Sequence, residues 1–194
     1  MGDDTDTDSR PVALIVDDEK EVADAYALRL RGLCDLQTAY SGSAALDIID
    51  TEEVDVVLLD RHMPGMSGDD VLTELDERTF TGKVIMVTAI DPGFDVLDMP
   101  FDDYLCKPVD REDVRAAVEQ QCEILGYELL GEFFSAESKR RVIEAEVPEV
   151  NREDHEPYRT IETQCRNLEL RVRRLLGDAA EPLETFDSVR REGR

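Results

Sequence analysis

The chain has no tryptophan, and among its 194 residues are only 4 cysteines, 2 histidines and 4 lysines. Each scarcity removes a class of explanation. Cys34, Cys106, Cys122 and Cys165 form no CxxC pair. That excludes a zinc ribbon and a disulfide scaffold, and it reads as a reduced interior. No apolar run approaches the ~18 residues that a membrane span requires. The start, MGDDTDTDSR, is too acidic and polar for a signal peptide, so a cytoplasmic location is expected. Positive charge is also scarce: 22 basic residues face 47 acidic ones, a net charge of −25. Residues 1–120 carry 10 basic and 30 acidic side chains, which argues against non-specific nucleic-acid binding by that part.

What remains is still globular. A hydrophobic fraction of 41% is too high for an acidic disordered chain. The length suits one full domain plus a smaller appendage. A carboxylate coat with little lysine is consistent with a salt-rich cytoplasm, where dense screening tolerates self-repulsion. Melting across a salt series checks this: equal stability in low and molar salt would contradict it.

The chain alternates short apolar runs with amphipathic segments. VALIV (12–16), DLQTAY (35–40), VDVVLLD (54–60), KVIMVTA (83–89) and DDYLCKP (102–108) read as strands. Helices are expected over 19–32, 41–50, 67–77 and 111–125, with Ser41 or Ser43 and Ser67 as caps. Continuous apolar strands alternating with helices predict a parallel sheet covered on both faces. Pro92, Gly93 and Pro100 leave room for one or two helical turns near 94–99. Gly126 and Gly131, each costing ~1 kcal/mol relative to Ala in a helix, predict an interruption after residue 125. A charged helix over 135–147 then ends at Pro148. Tyr158, Ile161, Cys165, Leu168, Val172 and Leu175 form a narrow apolar stripe suited to packing on another helix, in a hairpin or between two chains. The expected organisation is a disordered acidic leader (1–10), an α/β domain (11–124), a small α-helical region (125–176) and a disordered tail (177–194).

In an open parallel sheet, sites form beyond the carboxyl ends of the strands. There the sequence places Asp17, Asp18 and Glu19, then Asp60, then Thr88, then Lys107. Clustered carboxylates repel unless a cation compensates. Hard oxygen ligands suit Mg²⁺, which keeps several waters and takes one or two protein carboxylates. A carboxylate can itself be the nucleophile in phosphoryl transfer, with Lys107 and Thr88 donating to phosphoryl oxygens. Singly, each residue is equally well a helix cap, a turn former or a solvated charge. Their fall at successive strand ends is what favours a phosphoacceptor site.

VDDE, LLDRHMPGMSG, VTA and DDYLCKP, in this order and at about these spacings, resemble the receiver domain of two-component response regulators. The resemblance covers roughly residues 11–124. It implies a five-stranded flavodoxin-like domain that takes a phosphoryl group from a sensor histidine kinase. By motif, it implies Asp60 as phosphoacceptor and Asp17 and Asp18 as the acidic pocket for Mg²⁺. Asp18, Asp60 and the backbone carbonyl of His62 would be the protein's metal ligands. It implies Lys107 as the phosphoryl contact, with a cis bond to Pro108, and Thr88 and Tyr104 as a switch pair. The interval from Thr88 to Lys107 is about three residues shorter than the common pattern, implying a short or irregular fourth helix. The His62 imidazole could tune dephosphorylation or simply be exposed. SKRRVIEAEV and the 158–175 stripe resemble the HalX-type helical region that follows receivers in halophilic archaea. Three functions follow. The first is a phosphorylation-controlled switch acting on a protein partner or a second copy. The second is a DNA-binding transcription regulator using the helical region, although no helix-turn-helix pattern is evident. The third is a metal-dependent phosphatase with an aspartate nucleophile; the first reading expects no turnover enzyme.

Overall fold

The computed structural model describes residues 10–89, 92–152, 154–180 and 182–183. The chain divides into two compact units, Met1–Cys122 and Glu123–Arg194. The acidic leader expected over 1–10 lies outside the described residues, Arg10 apart.

The first unit is built on five parallel strands: β1 (Val12–Val16), β2 (Asp35–Ala39), β3 (Val56–Asp60), β4 (Lys83–Thr88) and β5 (Asp103–Cys106). Their order across the sheet is β2-β1-β3-β4-β5, the doubly wound order of flavodoxin-like folds. All five residues of β3 are buried, because this strand is central and covered on both faces. β2, at one edge, is mostly half-exposed and carries Asp35, Gln37 and Thr38. Helices α1 (Lys20–Leu30), α2 (Gly42–Ile49) and α3 (Gly68–Glu77) connect the strands. Of the two candidate caps for α2, Ser41 takes the role, accepting from the Ala44 N–H. Ser67 and Asp70 form a reciprocal capping box at the start of α3, satisfying two otherwise orphaned donors. One face of the sheet packs Leu14, Val16, Val57, Leu59 and Met86 against Val71, Leu72 and Leu75 of α3. Burying each such side chain contributes roughly 1.5–3 kcal/mol.

One expectation holds and two need correction. First, between β4 and β5 the chain forms a 3-10 turn, Phe94–Asp98, the short, irregular segment expected near 94–99. Phe94 and Leu97 on it are exposed, so no buried face draws the segment into a full helix. Second, the helix expected to stop near residue 125 continues: α4 runs from Arg111 to Glu146 without a break. The unit boundary falls inside it. Gly126 is there for packing, since a Cβ at that position would lie 2.5 Å from Leu176 Cδ2 and 2.6 Å from Leu176 Cγ. Leu125, Leu129, Leu130 and Phe133 are buried on the same helix, and their burial outweighs the ~1 kcal/mol propensity cost of each glycine. Third, the region expected to be a tail begins as a 3-10 turn, Gly177–Ala180. Ala180 and Leu183 are buried in the helical core. Residues 184–194 lie outside the described part.

The second unit is a helical hairpin. After Pro148 comes a one-turn helix, α5 (Glu149–Arg152), then α6 (Glu156–Leu176). Tyr158, Cys165, Leu168 and Val172 of the α6 stripe are buried. Ile161 and Leu175 pack at the margin of the same core. Of the two uses open to that stripe, it is therefore spent within the chain. One charge is buried with it: Glu137 on α4 is 5% exposed. Arg140 donates to both its oxygens at 2.6 and 2.7 Å, and Arg141 donates to Oε1 at 2.7 Å. Burial pushes the Glu137 carboxyl up, but the two guanidiniums overcome that and hold it down at about 2. Among the described residues no helix is long and apolar enough to cross a membrane.

Candidate functional site

The carboxyl ends of β1, β3 and β5 bring three charged side chains together. β1 is followed by Asp17, β3 ends on Asp60, and β5 is followed by Lys107. The Lys107 Nζ donates to Asp17 Oδ2 at 2.7 Å and to Asp60 Oδ1 at 2.7 Å. The two carboxylate oxygens are therefore at most about 5.4 Å apart, twice the 2.7 Å bond. The remaining oxygens are held by the backbone. Asp17 Oδ1 accepts from the Glu19 N–H at 2.9 Å, and Asp60 Oδ2 accepts from the His62 N–H at 2.9 Å. Asp17 and Asp60 are only 3% and 8% exposed. Burial lowers the ammonium pKa of Lys107, but its bonds to Asp17 and Asp60 more than offset this, and it ends above its ordinary value.

The loop after Asp60 gives these groups room. Gly68 begins α3 against the end of β3, where a Cβ would lie 2.3 Å from the Asp60 carbonyl oxygen. Only glycine permits that approach. Its N–H donates to the Arg61 carbonyl at 2.9 Å, and the Arg61 guanidinium bonds Asp69 of α3 at 3.1 Å. The turn thus swings the chain aside and ties it down, while the Asp60 side chain points to Lys107.

The other expected residues fall around this trio. Thr88 ends β4, one residue beyond Val87, which pairs with Asp60. It is 1% exposed, and its carbonyl accepts from the Lys107 N–H at 2.7 Å. Tyr104 lies deeper along β5, opposite Met86. Its ring is half-buried and stands 5.5 Å from that of Phe101. Asp18 is exposed beside Asp17, and the His62 side chain is exposed. The Lys107–Pro108 peptide is cis. Sequence reasoning missed the backbone donors of Glu19 and His62, since every residue carries an N–H and no side-chain identity marks them.

The donor chemistry fits a hard divalent cation. Among the described residues no three His, Cys, Asp or Glu side chains form a ready-made metal cage. Mg²⁺ does not need one, because it binds through one or two carboxylates and retains water. Asp17, Asp60 and the adjoining Asp18 supply only oxygen.

Residues 13–119 match the model of the response regulator receiver domain, more than half of the chain. The chain belongs to the response regulator receiver family. Residues 123–190 match the HalX domain, so the receiver is followed by a HalX region. A Haloferax volcanii protein described as a candidate transcriptional regulator is 42% identical over 144 residues, which is 73% of this chain and 25% of that protein. The chain thus spans about a quarter of that relative's length. A receiver domain from Methanospirillum hungatei superposes with a TM-score of 0.58 at 25% identity, covering 62% of this chain and 99% of that one. The receiver of a Luxo-type repressor from Vibrio parahaemolyticus gives 0.60 at 25% identity, covering 63% and 98%. The BeF3-activated DrrB receiver gives 0.53 at 28% identity, covering 57% and 96%.

Proposed function

We propose that this chain is a phosphorylation-controlled response regulator in which Asp60 accepts a phosphoryl group from a sensor histidine kinase. The supporting observation is the Lys107 ammonium held between Asp17 and Asp60 at 2.7 Å to each. A carboxylate oxygen of Asp60 attacks phosphorus, a P–O bond forms, and the P–N bond to the kinase imidazole breaks. The imidazole leaves with a proton. Lys107 is placed to follow the incoming negative charge, and the Thr88 hydroxyl, at the neighbouring strand end, is a second donor. Tyr104, packed behind Thr88's strand, is the candidate for the coupled ring movement. Asp18, Asp60 and the His62 carbonyl are the proposed Mg²⁺ ligands, with Asp17 completing the acidic pocket. Mg²⁺ supplies charge neutralisation for the phosphoryl oxygens.

This is a signalling acceptor, not a turnover enzyme. Acetyl phosphate with Mg²⁺ is expected to label the wild-type chain and not Asp60→Asn. Equal labelling of both would reject the assignment. The description of the Haloferax relative favours transcription as the output, through partner proteins or DNA. Salt-dependent, sequence-specific DNA retention by the full chain would support direct DNA contact. Its absence under conditions that phosphorylate Asp60 would leave protein association as the output.

A further inference from the structure

The stripe on α6 is consumed inside the hairpin, yet α4 carries a second uncharged line on its opposite face. Ile124, Tyr127, Gly131, Ser135, Ser138 and Val142 recur at spacings of 3, 4, 4, 3 and 4. They run straight along one side of the helix for about 27 Å. Ile124, Tyr127 and Val142 are 38%, 50% and 49% exposed. The exposed residues on either side of the line include Glu123, Glu128, Lys139 and Glu146, all charged. In a chain where 36% of residues are charged, a line of six without charge, carrying three large apolar groups on the surface, calls for a partner.

Gly131 adds a separate argument. Gly126, five residues earlier, is required by Leu176, but a Cβ at Gly131 meets nothing within 4 Å. The glycine weakens the helix, and none of the described residues uses the space. A second helix crossing there would, because small residues let backbones approach.

The flanking charges identify the occupant. Around the line, Glu123 and Arg141 lie on one side, and Glu128 and Lys139 on the other. Glu123 and Glu128 are in the N-terminal half of the line and Arg141 and Lys139 in its C-terminal half; on the second flank exposed Glu132 lies near the midpoint and Glu146 one turn beyond Val142. Turned end over end about a point midway between Ile124 and Val142, those two charge pairs are complementary, while Glu132 comes near its own copy. Glu123 meets the partner's Arg141, Glu128 meets the partner's Lys139, and Ile124 meets the partner's Val142. A parallel pairing would instead set Glu123 against the partner's Glu128. We propose that the outward face of α4 pairs antiparallel with the same face of a second copy. This is an isologous two-fold contact, and it does not depend on phosphorylation of Asp60.

Sedimentation of the full chain at constant salt tests it. The wild type is expected to dimerise. Ile124→Glu with Tyr127→Glu is expected to weaken the dimer at least tenfold with unchanged circular dichroism. Gly131→Leu is expected to weaken it too. Glu128→Lys and Lys139→Glu should each weaken it, and the two together should restore it. For the geometry, Cys106→Ser is the background. Mixing Ile124→Cys with Val142→Cys should give a disulfide-linked dimer on mild oxidation, whereas Ile124→Cys alone should not. A wild type that stays monomeric overturns the proposal. So does a dimer unaffected by the Ile124 and Tyr127 changes, or an efficient 124-to-124 crosslink, which would signify parallel helices.

Discussion

Replacing Lys107 by methionine keeps most of the stem and removes the ammonium that separates two buried carboxylates. The charges of Asp17 and Asp60 are then about 5.4 Å apart at most, from the paired 2.7 Å bonds. At an effective dielectric constant of ~20, two unit charges at that distance repel by about 3 kcal/mol. Side-chain exposures of 4% and 10% leave little solvent to screen them. Lys107→Met is therefore expected to lose about 3 kcal/mol of receiver stability at pH 7. Adding Asp60→Asn removes one of the repelling charges and should recover most of it. Mg²⁺ should also rescue the single variant more than the wild type, since the cation replaces the missing positive charge. The assay is denaturant unfolding followed by circular dichroism at fixed salt, with EDTA or Mg²⁺. If Lys107→Met is as stable as wild type, or if Asp60→Asn fails to restore it, the trio is not an electrostatic unit and the reasoning is refuted.

The same substitution should act oppositely at two places on α4. Gly131→Ala, with open space around it, should stabilise the monomer by about 0.5–1 kcal/mol. Gly126→Ala gains the same propensity but forces Leu176 aside, at an overpacking cost of about 1–3 kcal/mol, so it should be neutral to destabilising. Equal stabilisation in dilute thermal melts would contradict the close helix approach. Glu137 should make the helical unit acid-sensitive. Its carboxyl is held down at about 2 from an ordinary 4.5. The stability it contributes is thus fully present above pH 4.5 and lost as pH falls toward 2. Glu137→Gln should flatten that part of the pH–stability curve, and an unchanged acid limb would show that the ion cluster contributes nothing.

The receiver was readable because its strands are continuous apolar runs that end abruptly in charge. VVLLD stops on Asp60, and the sheet order then places Asp60 beside Asp17 and Lys107, 43 and 47 residues away in sequence. Side-chain burial alone predicts this, given a parallel sheet. The helical half was less readable for a physical reason. Gly126 looks like a helix breaker until Leu176 is known to press against it, a contact spanning 50 positions. Glu137 gives no sequence signal of burial, since its partners Arg140 and Arg141 look like an ordinary solvated face. The 3-10 turn at Phe94–Asp98 was legible as a short or irregular segment: Pro92 and Pro100 limit its length, and exposed Phe94 and Leu97 give it no buried face.

The cysteines have a practical consequence. Cys34, Cys122 and Cys165 are buried, and only Cys106 is exposed. A bond with Cys34, together with burial, pushes the Cys122 thiol up. Burial, reinforced by Glu137, pushes Cys165 up to about 11. A mild thiol reagent at neutral pH should therefore attach at Cys106 alone. That residue ends β5, pairs in register with Thr88 and directly precedes Lys107. The natural chain thus offers a single dye-attachment point beside the carboxylates, and an environment-sensitive fluorophore there would report phosphoryl arrival and departure in real time without any engineered cysteine.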